Sequence, residues 1–179
     1  RSAADFAAGH IVGSVNISLG SLPDKIEDGT IPADKTILNV CYTGQTASYA
    51  TSLLNLLGYD AQNLKFGVCG MDTTLAGAKK WVGQIKEDEF AGSLVAEETT
   101  ADQEYEFVSI STGAETGEDV LLARMKEMLP SGWGKVAAAD VFANPDNYFI
   151  VNYWGMAEYT DPGHITGAVC FEPKNAFKA

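Results

Sequence analysis

The hydrophobic pattern of the chain changes period at Cys41. Thr36 to Cys41 (TILNVC) is a short apolar run rich in β-branched residues, the composition of a buried strand. Beyond a glycine-threonine turn, Ala47, Ala50, Leu53, Leu54 and Leu57 fall at helical spacing, and Gly58 stands where a C-terminal cap belongs. A strand, a tight turn and a helix thus follow one another directly, with the helix expected from about Thr46. Ala61 to Phe66 reads as a further strand and Thr73 to Ile85 as a further helix. Strands alternating with helices imply an α/β fold whose sheet is parallel and covered on both faces.

The rest of the chain is less regular. Val15 and Ile17 lie in SVNIS, another strand pattern. From Glu87 to Ala123 there is no Lys or Arg, against eleven Asp and Glu residues. This stretch reads as a solvated acidic connector; a cation-binding loop is the sharper alternative, but the carboxylates lack the DxDxDG-type spacing of a calcium loop. Thr116 to Asp119 predicts a capping box, and Leu121, Met125, Met128 and Leu129 predict one helical face ending at Pro130. Asn144-Pro145-Asp146 is a turn signal, and Asn147 to Val151 (NYFIV) a buried-strand pattern.

Charge and cysteine usage exclude several classes of function. A net charge of −12 argues against nucleic acid and anionic membranes, both of which draw on clustered Lys and Arg. No apolar run reaches the ~18 residues of a membrane span. Cys41, Cys69 and Cys170 are too few and too scattered for a disulfide framework or a CxxC-type zinc site. No signal peptide is visible, although the first residues already read as the middle of a fold.

Compared with itself, the chain repeats. DFAAGHIVGSVNIS (Asp5 to Ser18) matches EYTDPGHITGAVCFEP (Glu158 to Pro173): an acidic-aromatic pair, then GHI, then a glycine and an alternating strand, with His10 and His164 154 positions apart. With these motifs in order, the chain resembles a tandem rhodanese-like (sulfurtransferase) protein. The family pattern is matched by Arg1, Asp5-Phe6, Gly9-His10-Ile11, the loop Cys41 to Thr46 (C-x-x-G-x-T) and Leu64 to Gly67. The resemblance implies a three-layer fold, a parallel sheet flanked by helices on both faces. Residues 1–86 would be a rhodanese-like domain lacking its first strands, 87–117 the acidic connector, and 118–179 the N-terminal half of a second repeat. In the family the missing strand lies beside the cysteine strand. Tyr148 to Trp154 is a spare strand of that kind. One expectation is that it completes the first sheet, within one chain or in a strand-exchanged homodimer; the other is that the sequence is a fragment of a longer tandem protein.

The layout around Cys41 fits nucleophilic chemistry. A thiolate is favoured where backbone N–H groups meet a helix N-terminus, and the same cradle suits an anion. The resemblance implies that Cys41 takes sulfur from thiosulfate or a persulfide and passes it to cyanide or a thiol, with Tyr42, Thr43, Gly44, Gln45 and Thr46 as the anion-binding loop and no metal or organic cofactor. The bland reading of Cys41 is a small buried hydrophobe. Ala47 stands where a C-x5-R phosphatase needs an arginine, which excludes that chemistry. Gln45 and Thr46 are neutral where many thiosulfate enzymes of the family carry a cation, so a persulfide or protein-bound sulfur is the better donor. A non-catalytic rhodanese module for binding or assembly is the alternative.

Other candidates read more plainly. His10 and His164 are expected to be structural, holding the turn before the strand. Cys69 is a candidate second thiol that could resolve a Cys41 persulfide, though an inert thiol is its simpler reading, and Cys170 reads as core. Asn152-Tyr153-Trp154 replaces the family's D-x-R, so the second repeat is expected to serve structure. The acidic surface and tandem layout suit an exported bacterial protein by analogy only, and the cytoplasm stays open.

Overall fold

The computed structural model describes residues 1–86, 88–99 and 104–172. They form two compact units, one built from residues 1–85 and 110–134, the other from the described residues of 86–109 and 135–172. Helix and strand are mixed, as in an α/β protein, and two of the three strand pairs are parallel.

In the first unit, β1 (Ile37–Asn39) runs parallel to β2 (Ala61–Asn63), with Ile37 opposite Ala61 and Asn39 opposite Asn63. Between them lies α3 (Gln45–Leu56), preceded in the chain by α1 (Ala3–Ala8) and α2 (Leu22–Glu27). The helix after Cys41 therefore begins one residue before the expected Thr46. Its expected face is the buried one: Ala47, Leu53 and Leu54 are inside, and Ala50 and Leu57 pack against the core. Gly58, at φ 88°, ends it in the left-handed conformation that glycine adopts without a Cβ clash.

The capping box forms as the spacing predicts. α4 (Gly117–Met128) starts at Thr116, whose hydroxyl accepts the Asp119 N–H at 3.1 Å. Met125 and Leu129 of this segment join Leu22, Ile31, Leu53, Leu54 and Ala61 in one core. Leu54 and Met125 are fully buried, each contributing about 1.5–3 kcal/mol by removal from water. Lys126 adds an exposed ion pair to Glu27 at 2.6 Å.

Two expected elements are absent. Val15 to Ser18 is extended but belongs to no ladder, and Val15 is 67% exposed, because a strand pattern needs a hydrogen-bonded neighbour to become a strand. Residues 73–85 form turns and a short 3-10 segment, Val82–Gln84, instead of an α-helix. Gly77 sits at φ 83°, outside helical space, with the Tyr42 ring against the position a Cβ would take.

In the second unit, β3 (Leu94–Val95) pairs antiparallel with β5 (His164–Ile165), and β4 (Val151–Asn152) pairs parallel with β6 (Val169–Cys170). β3 lies inside the acidic stretch. Two short helices, α5 (Ala138–Ala143) and α6 (Met156–Thr160), complete the unit. The turn expected at Asn144 is a 3-10 segment, Pro145–Asn147. The NYFIV strand is shorter and shifted toward Asn152. Tyr159 and His164 are both 1% exposed: their rings stack at 3.6 Å, and the Tyr159 hydroxyl donates to the Ala168 carbonyl at 2.5 Å.

Among the described residues, no helix is long and apolar enough to cross a membrane.

Candidate active site at the Cys41 loop

β1 delivers Cys41 two residues beyond its last paired position, and α3 begins at Gln45. The turn between them is tight because Gly44, the residue before the helix, adopts φ 92°. This conformation aims amides at the sulfur. The Gly44 N–H donates to Cys41 Sγ at 3.1 Å and the Ala47 N–H at 3.4 Å. The first N–H groups of any helix lack an intrahelical acceptor. Here two of them are spent on one buried sulfur, and the first intrahelical bond runs from the Ser48 N–H to the Gly44 carbonyl at 2.8 Å. Negative charge on Cys41 would face both donors and the positive end of a twelve-residue helix.

The loop is locked from below. The Val68 N–H donates to the Cys41 carbonyl at 3.0 Å and the Cys69 N–H to the Tyr42 carbonyl at 3.1 Å. Such an approach requires Gly67, at φ 55°: a Cβ there would lie 2.3 Å from the Cys41 carbonyl oxygen. Asn63 Nδ2 bonds Ser48 Oγ at 2.8 Å, tying β2 to the first turn of α3.

Cys41 thus stands at the end of a strand, bonded by amides of the following loop, with a glycine-containing segment closed against it. Residues 1–71 match the family model for the rhodanese-like domain. This match supports the rhodanese-like family for the first unit. No curated protein and no solved structure matches the chain at a significant level.

Within the rhodanese-like segment, the named loop residues occupy distinct positions. Gly44 is buried, Tyr42, Thr43 and Thr46 are half-buried, and Gln45 is exposed. Cys41 itself is 7% exposed and lies at one end of a cleft of about 530 Å³, with Thr46 and Ala47 beside it and Leu38, Val40 and Ile17 along the walls.

Around Tyr42 lies a set of contacts that the sequence pattern does not link. The Tyr42 hydroxyl donates to Asp5 Oδ2 and accepts the Ser2 N–H at 3.0 Å, while Lys80 Nζ lies 3.6 Å from the centre of the Tyr42 ring. The Tyr42 hydroxyl, and secondarily Ser2, hold the Asp5 carboxyl below the usual carboxylate range, with Lys80 and Arg1 adding to the effect. The Arg1 guanidinium bonds the carbonyls of Gly9 (2.7 Å) and Asp5 (2.6 Å). Asp5 was visible as half of an acidic-aromatic pair, but nothing in the spacing links it to position 42 or 80.

The remaining candidates make contacts of their own. Cys69 is half-buried, with its thiol 3.6 Å from the Gly77 carbonyl, and the three cysteines are free thiols. Each histidine bonds backwards through Nδ1, His10 to the Phe6 carbonyl and His164 to the Tyr159 carbonyl, both at 2.8 Å. Cys170 is half-buried; burial pushes its thiol up, with Glu172 and Glu98 contributing. Among the described residues there is no cluster of three or more His, Cys, Asp or Glu side chains that could hold a metal ion.

Proposed function

We propose that the chain is a sulfurtransferase that carries sulfane sulfur on Cys41. The observation that carries this reading is the pair of amide donors, from Gly44 and Ala47, converging on Sγ at the N-terminus of α3. Two backbone donors aimed at one sulfur are placed to hydrogen-bond the charge of a persulfide carried there.

The reaction balances without an oxidant. The Cys41 thiolate attacks the outer sulfur of thiosulfate; the new S–S bond forms as the donor's S–S bond breaks, and sulfite leaves with the electron pair. Cyanide or a thiolate then attacks the outer sulfur of the persulfide, giving thiocyanate or a new persulfide and returning Cys41 as thiolate. Tyr42, Thr43, Gly44, Gln45 and Thr46 form the loop that faces the anion, with the N–H groups of Gln45 and Thr46 as its helix-end donors. The loop carries no cation, so a persulfide or protein-bound sulfur is preferred over doubly charged thiosulfate. Cys69 is the second thiol of this reading. The tandem layout is part of it too, supported by the histidine and aromatic ring that stack alike at Phe6-His10 and Tyr159-His164.

The second reading, a non-catalytic rhodanese-like module, draws on the low exposure of Cys41 and its neutral loop. Intact mass separates the two. Incubation with polysulfide should add one sulfur atom (~32 Da) that cyanide removes and that Cys41→Ala lacks. No gain from polysulfide or thiosulfate would leave the binding module as the function.

A further inference from the structure

The loop from Cys41 to Thr46 carries no cation of its own, but the fold brings one to it. Residues 77–80 turn against Tyr42, the residue that follows the cysteine. The Lys80 N–H bonds the Gly77 carbonyl at 3.0 Å, and the Tyr42 ring occupies the place where a Gly77 Cβ would stand. This turn sets Lys80 Nζ 3.6 Å from the centre of the same ring. An ammonium over the negative face of an aromatic ring is attracted to it, which steadies an otherwise flexible four-carbon stem. The ring itself is anchored: its hydroxyl donates to Asp5 and accepts the Ser2 N–H at 3.0 Å, and the Tyr42 carbonyl accepts the Cys69 N–H at 3.1 Å. Lys80 is thus tied, through Tyr42, to the backbone that carries Cys41.

The charge of Lys80 is available to a ligand. The residue is exposed and, among the described residues, enters no ion pair. Asp5 feels its charge, but that carboxylate is engaged first by the Tyr42 hydroxyl and by Ser2. Arg1 lies 5.8 Å from the centre of the Tyr42 ring, yet its guanidinium is committed to the carbonyls of Gly9 and Asp5. Lys80 also belongs to a segment of opposite sign to the whole: residues 61–85 hold Lys65, Lys79 and Lys80 against Asp72 alone, in a chain of net charge −12. Adjacent Cα atoms lie about 3.8 Å apart, so a cation on the Tyr42 ring stands within about one screening length, ~10 Å, of Cys41. Its field reaches the sulfur, where the neutral side chains of the loop add none.

We infer that Lys80 determines the substrate class of the Cys41 site, selecting anionic sulfane donors over neutral ones in a protein whose net charge repels them. The inference rests on the sulfurtransferase reading for the kind of ligand and on Lys80 for its charge. The transfer step is unchanged: Lys80 raises the local concentration of the anion and exchanges no proton. Thiosulfate, the less favoured donor of that reading, carries two charges and so depends on Lys80 most.

Two measurements on the full chain, with Lys80→Gln and Lys80→Arg beside the wild type, test the inference. The first is alkylation of Cys41 by anionic iodoacetate and by neutral iodoacetamide, read by mass at the peptide that holds Cys41. The ratio of the two rates should fall roughly threefold in Lys80→Gln, stay at the wild-type value in Lys80→Arg, and cease to distinguish the variants in about 1 M salt. Because both reagents attack the same sulfur, the ratio cancels any change in thiolate fraction or loop packing. The second is thiocyanate formation: kcat/KM for thiosulfate should fall roughly tenfold in Lys80→Gln, since one potential acting on twice the charge squares the threefold factor. An unchanged ratio in Lys80→Gln, an equal loss in Lys80→Arg, or a Cys41 that neither reagent reaches would each overturn the inference. A ratio that falls as expected in a chain that forms no thiocyanate would uphold Lys80 as the selector of anions and overturn the sulfurtransferase reading instead.

Discussion

Replacing Gly67 with alanine is the sharpest test of how the Cys41 loop is held. The added Cβ would sit 2.3 Å from the Cys41 carbonyl oxygen and 2.9 Å from both the carbonyl carbon and oxygen of Tyr42. These are backbone atoms and cannot rotate away. Relief requires the loop to move off residues 67–69, which costs the bonds Val68 N–H to Cys41 and Cys69 N–H to Tyr42. Each is worth about 1 kcal/mol. The left-handed backbone, φ 55°, adds about 1–2 kcal/mol for any residue with a Cβ. The sum is about 3–4 kcal/mol, a drop in urea midpoint of roughly 1–4 M at ordinary denaturant slopes. Gly58→Ala is the control: φ is 88° and nothing lies within 4 Å of the added Cβ, so it pays the conformational cost alone. Urea unfolding of both variants should therefore separate them by about 2 kcal/mol. Equal losses would refute the claim that the loop is closed against residue 67.

Three further outcomes follow from contacts away from Gly67. In a carboxyl NMR titration Asp5 should ionise below the usual aspartate range, and Tyr42→Phe should return it upward, because the phenol is the main cause of the depression; an unchanged titration in the variant would remove Tyr42 from that role. Asp28, held at about 2 by Lys25 and Thr30, gives a stability contribution that is complete above its unfolded value near 3.8 and is lost as pH falls toward 2. The unfolding difference between wild type and Asp28→Asn should accordingly be flat at neutral pH and shrink below about pH 4; a difference that grows on acidification contradicts the assignment. Leu54→Ala and Met125→Ala should each cost about 2–5 kcal/mol, and the double variant less than their sum, since both line one core; strict additivity in urea unfolding would mean that α4 does not share the core of α3.

The cysteine loop and its helix were legible because local rules dictate them. Five apolar residues at helical spacing fix the buried face of α3, and Gly44 and Gly58 mark its two ends. The capping box at Thr116 was equally local. What failed were patterns whose outcome depends on distant groups. SVNIS has the alternation of a strand, yet a ladder needs a partner that the sequence cannot locate. Residues 73–85 contain enough alanine and leucine for a helix, but Gly77 is drawn under the Tyr42 ring, a contact between residues thirty-five positions apart. The Asp5–Tyr42–Lys80 cluster escaped notice for the same reason.

The two GHI motifs separate what a short sequence determines from what its neighbours determine. In both, the histidine Nδ1 bonds a carbonyl in the preceding turn at 2.8 Å and the ring stacks on the aromatic of the acidic-aromatic pair. That much is written within six residues. Burial is not: His10 is exposed, whereas His164 is 1% exposed and its Nε2 has no hydrogen-bond partner among the described residues. The difference traces to β3, where Leu94 and Val95 pair with Ile165 and His164 and cover the motif. These two apolar residues sit in a stretch whose composition is dominated by carboxylates, so charge counting passes over them. An acidic segment with a short apolar core can thus donate a strand, and the identity of a repeated motif fixes its internal hydrogen bond without fixing its solvent exposure.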